Sequence, residues 1–546
     1  MDEKGYWQKT LGRRLSRREW LRLGYQAGMG LAGATLLGCA APSPAPVATT
    51  AAKPTPTAVV PRAGGTLRAA YSYLGTKLDP ADNKDGGFGW SWVRHLYDNL
   101  LEWDSKGNMI LRLATSWEAP DLSTYIFKLR RGVKFHDGTD FSAQAAKAHF
   151  ERAAGLVTGF SSRYKQYVKS MDVVDDYTLK FNLKYPYGQF IDQLIITQEG
   201  AITSPTAAAK YGDDFPRYSV GTGPFRLKSH AIDDRLEVTR FPEYWEKDKI
   251  YLDGITWKLV PDRSVKIVML KSGQTDFVEE VEPARLPEVQ GDPNIKVVQG
   301  LSFNQRILRF NMKDKILSKL AVRQAITYAV DRQKISDALF KGLFPVNYGY
   351  VSSQHGGAYD PSLKGTEFDL AKAKQKMVEA GYPDGFEMEM TLRTGRPDEA
   401  QLGEVLQDML SKIGIRVRLH PLETAAASAY SRDGKHQLYI AGGGTITFDP
   451  RMAVRWMLPA EEMGSKLCDP PRGSEIEGLL AKAAATANPE QINQYVRQID
   501  KLAREQVYCW LPLVWEAGIY AISKNVMGFV PHPDFGPRLM NIWLAA

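Results

Sequence analysis

Two short motifs contain residue types that could perform catalysis. In Phe135-His136-Asp137-Gly138 a histidine and an aspartate are adjacent, but neighbouring side chains on a tight turn rarely face the same point. We interpret this motif as a surface turn that leads into a helix near Ser142. In Gly221-Thr222-Gly223-Pro224 the Lys-Ser/Thr of a phosphate-binding loop is missing, and the proline has no amide N–H for a phosphate. We interpret it as a turn of close backbone approach near a hinge.

Other motifs for catalysis or metal binding are missing from the sequence. It contains no Gly-x-Ser-x-Gly, no His-Glu-x-x-His and no Cys-x-x-Cys, and its eight histidines are scattered. We therefore expect that the protein is not an enzyme and that it uses no cofactor and no metal. The chemistry that remains is noncovalent binding.

The charge of the chain argues against nucleic-acid binding. The net charge is +8, and residues 1–38 contribute half of it, with seven basic and three acidic side chains. The remainder of the chain is only mildly basic for its length and has no run of five Lys/Arg residues. Neither a nucleic-acid surface nor a polybasic membrane patch is indicated.

The N-terminus has the pattern of a removable export signal. Arg17-Arg18 precede an uncharged run from Leu23 to Leu37, which is too short to span a bilayer. The paired arginines, followed by Trp20-Leu21, resemble a twin-arginine signal, although the Sec route stays open. Leu36-Leu37-Gly38-Cys39 resembles a bacterial lipobox, in which Cys39 becomes the lipid-bearing first residue.

The segment after Cys39 predicts a tether. Residues 39–63 are rich in Ala, Pro, Thr and Val, with almost no charge, and such spacers are extended and bury no core. With 1–38 as the signal, we expect a body anchored by lipid at the outer face of the cytoplasmic membrane. This location is periplasmic if the cell has an outer membrane, which the sequence does not tell.

The body alternates helical and strand patterns, which predicts the α/β class. Asp369 can cap a helix whose apolar side is Leu370, Ala373, Met377 and Val378 and which Gly381 ends. A strand over 386–392, a helix over 402–413 and a strand over 415–419 follow in turn. Further patterns predict strands at Tyr125–Leu129 and Tyr177–Leu183 and helices at Ala143–Ala153 and Ala321–Leu339.

The chain has three cysteines. Cys39 belongs to the lipobox, and an exported chain could pair Cys468 with Cys509. The sequence does not show whether these two come within bonding distance.

Several blocks, in order along the body, resemble the peptide/nickel-type (family 5) solute-binding proteins of ABC importers, in particular the oligopeptide- and dipeptide-binding group. The block from Leu129 to Gly138 is the most recognisable. The others are Gly64–Ala70, Leu78–Pro80, Leu96–Leu101, Leu113–Glu118, Gly221–Phe225, Tyr244-Trp245, Val322–Ile326, Tyr328–Arg332 and Ala380–Pro383.

This resemblance implies a two-lobed clamshell of the type II periplasmic-binding-protein class. Lobe 1 would comprise residues 64–305 plus 510–546, with an extra subdomain at about 90–190, and lobe 2 residues 306–509. The chain would cross near Phe303–Arg309 and return near Tyr508–Trp515. The implied function is capture of a peptide or peptide-sized polar solute by lobe closure, by a monomer that delivers it to ABC permease subunits.

The resemblance also implies which residues border the ligand. In relatives an acidic residue four positions before a loop proline accepts the peptide ammonium, but here that position is Ile446, before Pro450. Asp449 is acidic, yet its place beside the proline favours a capping or turn role. This departure puts free peptides in doubt, and the three preceding glycines suit a bulkier or less charged solute.

Aromatic and polar residues complete the set of candidates. Trp and Tyr bury a large area while keeping a polar group, which suits ligand pockets, although core positions are an equal alternative. The candidate ligand-binding residues are Tyr71, Tyr73, Trp90, Trp92, Asn304, Arg306, Tyr348, Tyr350, Gly443, Thr445, Ile446, Asp449 and Arg451, with Arg455 as a further anion partner. Two other functions stay open, a ligand sensor of the same fold and a lipid-anchored hydrolase.

Overall fold

The structure is a computed structural model that describes residues 60–82, 90–156, 162–363, 365–394, 396–445, 447–454, 474–534 and 536–545. The export signal, Cys39 and nearly the whole tether lie outside these residues. So do Ile446, Arg455 and Cys468, and of Trp90 only the backbone is described. The described residues from Pro61 onward form one compact unit.

Eighteen strands lie within the described ranges. In chain order they are β1 Thr66–Tyr71, β2 Leu101–Trp103, β3 Met109–Leu111, β4 Ala114–Asp121, β5 Thr124–Leu129, β6 Val168–Asp175, β7 Thr178–Leu183, β8 Phe225–Ala231, β9 Arg235–Arg240, β10 Gly254–Leu259, β11 Phe277–Val278, β12 Ile295–Phe310, β13 Phe386–Arg393, β14 Ile415–Leu422, β15 Leu438–Gly443, β16 Trp510–Ser523, β17 Val526–Met527 and β18 Trp543–Leu544. Ten of them form one mixed sheet in the order β14-β13-β15-β12-β16-β11-β1-β10-β9-β8, and β4-β5-β7-β6 form a separate antiparallel sheet.

The α-helices pack against the sheets and against one another. They are α1 Trp90–Leu96, α2 Ala143–Gly155, α3 Ser162–Tyr167, α4 Pro205–Tyr211, α5 Arg263–Lys271, α6 Leu320–Ala329, α7 Arg332–Phe340, α8 Leu370–Glu379, α9 Pro397–Ser411, α10 Thr424–Arg432, α11 Arg451–Val454, α12 Glu475–Ala484 and α13 Pro489–Leu502. In the described part of the chain, none of them combines the length and the apolar character that crossing a membrane requires.

Strands β12 and β16 run antiparallel through the middle of the large sheet and connect its two halves. Residues 295–301 of β12 pair with residues 523–517 of β16, and residues 305–309 pair with 515–510. The register shifts between these two stretches, and β15 joins only the second of them. The shift lies where the sequence predicts the first crossing between lobes, while the lobe boundaries themselves stay a prediction.

The α/β alternation predicted for residues 369–419 is confirmed. The Asp369 side chain accepts a hydrogen bond from the Lys372 amide at the start of α8, and Gly381 has a φ of 84° just after its end. Val378 was predicted on the apolar side of this helix, but it is 62% exposed. It follows Met377 directly, so it is rotated by about 100° away from the buried stripe.

The predicted helix over Ala321–Leu339 is two helices, α6 and α7. The chain leaves the helical conformation at Val330, and the side chain of Asp331 then caps α7 by accepting from the Lys334 amide. An aspartate at this position competes with the helical backbone and starts a new helix, which the apolar periodicity alone does not reveal.

The two turn motifs have structural roles. His136 lies within hydrogen-bonding distance of the Gly223 carbonyl (3.0 Å), whereas the Asp137 carboxylate accepts from Ser204 and Thr139, so the two side chains serve different partners. At Gly221 a Cβ atom would lie 2.3 Å from the carbonyl oxygen of Leu96. This glycine therefore permits a backbone contact that no other residue allows.

Gly221→Ala should lower the free energy of unfolding by about 1–3 kcal/mol, because the backbone of Leu96 must move away from the added methyl group. The matched control is Gly478→Ala in α12, where a Cβ meets nothing within 4 Å. That variant should be neutral or more stable by up to about 1 kcal/mol. Urea unfolding of both variants measures this, and equal effects would contradict the close approach.

Candidate functional site

Alternate residues of β12 line one side of a cavity. Phe303, Gln305, Ile307 and Arg309 all contribute to its wall. Successive side chains of a strand point to opposite faces, so these four share one face of the sheet. On the neighbouring strand β15, Gly443 pairs with Gln305 and belongs to the same wall.

The rest of the wall comes from segments that are distant in the sequence. Its other residues are Tyr350, His355, Gly444, Thr445, Ala453, Cys509, Trp510 and Trp515. The cavity volume is about 30 Å³, enough for one or two water molecules. A larger guest therefore requires the wall to open. Cys509 forms a disulfide bond, and its partner lies outside the described residues.

Few polar groups line this largely aromatic cavity. The side-chain oxygen of Gln305 accepts a hydrogen bond from Asn347 (2.7 Å), so its NH₂ group remains as a donor. His355 Nε2 lies 3.3 Å from the hydroxyl of Thr445, and burial lowers the pKa of His355 to about 4. The imidazole is therefore neutral at neutral pH.

Arg309 is the one cation in the described wall, which includes no Asp or Glu. Within the described chain, no carboxylate lies within ion-pair distance of its guanidinium, and no hydrogen bond involves its side chain. Burial lowers the pKa of Arg309, and the Arg393 guanidinium lowers it further, against an opposing effect of Tyr439.

Arg306 lies on the opposite face of β12 and is already paired. Its guanidinium nitrogens lie 2.6 Å from Asp398, 3.5 Å from Glu399 and 2.9 Å from Glu516. Burial alone would lower the pKa of Arg306, but these three carboxylates raise it above its ordinary value. The side chain links β16 to the first turn of α9, where acidic residues also suit the helix dipole.

The loop after β15 contacts residues that the predicted boundaries place in the other lobe. The Asp449 carboxylate accepts from the backbone amide and the guanidinium of Arg451 (2.6–2.9 Å). The same guanidinium donates to the carbonyl of Gly188 (2.8 Å). Asp449 thus has the turn and pairing role that its place beside Pro450 indicates.

A second carboxyl group, Asp192, lies against this pair. It is buried, and its Oδ1 accepts from the indole N–H of Trp103 (2.9 Å). Burial, together with the neighbouring carboxylate of Asp449, raises the pKa of Asp192 to about 8, although Arg451 opposes the shift. One guanidinium neutralises one carboxylate, so the other binds a proton and donates a hydrogen bond to Asp449.

Aromatic contacts reinforce the junction, a name we use for the contacts of residues 448–451 with Trp103, Gly188 and Asp192. The ring of Phe448 lies 5.7 Å from Trp103, 4.9 Å from Phe303 and 6.0 Å from His532, measured between centroids. Phe303 is also part of the cavity wall. The side chain of Phe303 therefore contacts both the junction and the cavity.

The structure brings only part of the predicted site together. Tyr350, Gly443 and Thr445 line the cavity, and Asn304 touches the loop at Gly444. Tyr350 packs edge-on against Trp510 and donates a hydrogen bond to its carbonyl (3.2 Å).

The other aromatic candidates whose side chains are described lie away from the cavity. Tyr71 and Trp92 are 1% exposed in the core around β1, and Tyr73 lies at the surface with its ring 6.1 Å from Trp92. The ring of Tyr348 lies under the guanidinium of Arg332. Tyr71 and Trp92 are therefore core residues, which was the alternative to a place in the ligand pocket.

Sequence reasoning missed most of the wall, namely Phe303, Gln305, Ile307, Arg309, His355, Ala453, Cys509, Trp510 and Trp515. Seven of these lie in the two predicted crossing segments, Phe303–Arg309 and Tyr508–Trp515. Their alternate spacing on β12 was visible, but the sequence did not show which face of the strand bordered the cavity.

Within the described ranges, no group of three or more His, Cys, Asp or Glu side chains is arranged to hold a metal ion. An aromatic cavity with a few polar groups, beside two long crossing strands in a mixed α/β sheet, is typical of a ligand-binding protein. The similar solved structures are two-lobed periplasmic binding proteins, which confirms the predicted fold class.

The chain belongs to the bacterial extracellular solute-binding proteins, family 5, whose family model matches residues 108–465. The glutathione-binding protein GsiB of Escherichia coli K12 is 30% identical over 473 residues, which cover 84% of this chain and 91% of that protein. The predicted family is thereby confirmed.

Two solved structures illustrate the likeness in fold. The periplasmic binding protein DppA of Helicobacter pylori, in complex with the peptide STSA, has a TM-score of 0.78 and 24% identity, covering 88% of this chain and 98% of that one. The binding protein AgaA of A. tumefaciens R10, in complex with agropinic acid, has a TM-score of 0.76 and 26% identity, covering 88% and 99%.

Asp192→Asn should flatten the pH dependence of stability. Asp192 binds a proton up to about pH 8 when buried but only up to about pH 4 when exposed, so the folded state holds the extra proton between these values. Its contribution to stability therefore falls as the pH rises from about 4 to about 8, by at most about 1.4 kcal/mol per pH unit. Asparagine reproduces the protonated form, and denaturation series from pH 5 to pH 9 compare the two proteins.

Glu279 serves as the internal reference for this experiment. Burial and the neighbouring Glu280 raise the pKa of Glu279 to about 8 as well, and this group is present in both proteins. The difference between the two pH profiles thus isolates Asp192. Identical profiles would contradict the shared proton at the junction.

Proposed function

We propose that this chain is the solute-binding subunit of an ABC importer and captures a peptide or peptide-sized polar solute between two lobes. Membership of the solute-binding family supports the binding role, and relatives named for glutathione and peptide binding support a solute of this size. The H. pylori relative is described as ABC transporter-associated, which supports a permease as the partner. The solute is bound and released without any bond being made or broken.

The observation that carries this proposal is the position of the cavity. It lies where β12 and β16 change register, and Phe303 connects its wall to the junction formed by Phe448, Trp103 and their neighbours. Opening the junction would widen the cavity, and a solute that contacts both sides would favour reclosure. We propose the predicted boundaries, 64–305 plus 510–546 and 306–509, for the two moving lobes.

We also propose that the mature protein is a monomer held at the outer face of the cytoplasmic membrane by a lipid on Cys39. The lipobox and the tether of residues 39–63 support this arrangement, because a short extended spacer keeps the body near its permease. The paired arginines Arg17 and Arg18 support export through the twin-arginine route.

Native mass spectrometry of the purified body, with and without added glutathione or dipeptides, tests capture. We expect one small molecule per chain, with a Kd of about 1 μM or tighter by calorimetry, equivalent to about 8 kcal/mol of binding free energy. The molecule should be recovered with its mass unchanged. Recovery of a hydrolysed product, or no binding to any candidate, would contradict the proposal.

Cys39→Ala should release the protein from the membrane, because no acyl chain can then be attached. Fractionation of cells should move the protein from the membrane pellet to the soluble exported fraction. Gly478→Ala is the control, since this residue lies in the body where a Cβ meets nothing within 4 Å, and it should leave the anchoring intact. Retention of the Cys39→Ala protein in the membrane fraction would exclude the lipid anchor.

A further inference from the structure

The cavity contains a cation that the described protein leaves without a counterion. Arg309 lines the wall, and no carboxylate of the described residues lies within ion-pair distance of its guanidinium. Three residues earlier on the same strand, Arg306 is paired with three carboxylates. The described residues thus neutralise the arginine on the opposite face of β12 and provide no counterion for the one on the cavity face.

An unpaired, desolvated guanidinium is costly unless an anion reaches it. The described neighbours of Arg309 supply none, because Tyr439 beside it has no carboxylate, and Arg393 is a second guanidinium that is itself paired with Glu399. His436, whose pKa is lowered to about 4 by burial and by Arg309, is also uncharged. Because the described residues supply no negative charge, we assign the partner of Arg309 to the ligand.

The other polar groups of the wall favour the same ligand group. The free NH₂ of Gln305 is a donor, and Gln305 and Arg309 stand on the same face of β12. A carboxylate accepts hydrogen bonds from such donors and matches a guanidinium in two-point geometry. An ammonium group would find no carboxylate in the described part of the wall.

Aromatic side chains indicate the chemistry of the remaining part of the ligand. Phe303, Trp510 and Trp515 line the cavity and leave the guest little polar surface to contact. Planar or apolar groups pack well on such rings. A guest with one acidic end and an apolar body would satisfy both parts of the wall.

We propose that this cavity selects a carboxylate-bearing solute with an apolar or planar body and without a free ammonium group, such as an N-acylated amino acid or peptide, and that Arg309 holds the carboxylate. This inference rests on the proposed capture function and narrows it to one chemical class. It also explains why a non-acidic residue at position 446 is compatible with binding.

Three matched probes test the class by calorimetry: N-acetyl-Ala-Phe, free Ala-Phe and N-acetyl-Ala-Phe amide. We expect the first to bind at least tenfold more tightly than the other two, because only it presents a carboxylate without an ammonium group. Tighter binding of free Ala-Phe would overturn this inference while supporting capture of peptides. Failure of all three probes would also overturn it, even if native mass spectrometry finds another solute.

Two variants test the role of Arg309. Arg309→Gln should weaken N-acetyl-Ala-Phe at least thirtyfold and leave the amide probe unchanged, and Arg309→Lys should retain part of the affinity. Arg416→Gln, at an exposed arginine of β14, is the control and should bind all probes as the wild type does. Wild-type affinity in the Arg309→Gln protein would refute the assignment.

A second readout separates ligand binding from a structural role. Removing an unpaired, partly buried charge should leave the melting temperature of the ligand-free protein unchanged or raise it. If Arg309 served mainly to stabilise the fold, Arg309→Gln would instead melt earlier without ligand. That result would overturn the inference whatever happens to the affinity.

Discussion

The alternation of side chains along β12 is the constraint on which the rest of the site depends. Within seven residues the strand presents an ion cluster on one face and the cavity wall on the other. The ion cluster joins β12 to β16 and to the start of α9. These contacts fix which side chains of β12 face the cavity and which face the cluster. A shift of one residue would bring Arg306 into the aromatic cavity and Arg309 against the acidic cluster.

The junction has one arginine for two buried carboxyl groups, so only one of them can be neutralised by an ion pair. Arg451 neutralises Asp449, and Asp192 is then forced to bind a proton. Such an arrangement stabilises contact between the two sides while making it sensitive to pH. A binding protein must open to exchange its solute, so a junction of modest strength serves it better than a fully paired one.

Local patterns were sufficient to predict the fold class. The caps and periodicity of residues 369–419 predicted the helices and strands there, and the ordered family blocks predicted the two-lobed architecture. The break at Asp331 was missed because apolar periodicity continues across it. The site was harder to predict, since both faces of β12 carry an arginine and apolar residues. Which face lines the cavity depends on tertiary packing. The contact between Asp192 and Asp449 joins distant parts of the chain and leaves no local signal.

The central claim is that two halves close around a solute and release it unchanged. Small-angle scattering of the purified body, recorded with and without the solute identified by native mass spectrometry, tests this most directly. The account predicts that the radius of gyration decreases at saturating solute and returns to its original value when the intact solute is removed. A radius that stays constant while the solute is bound would contradict it.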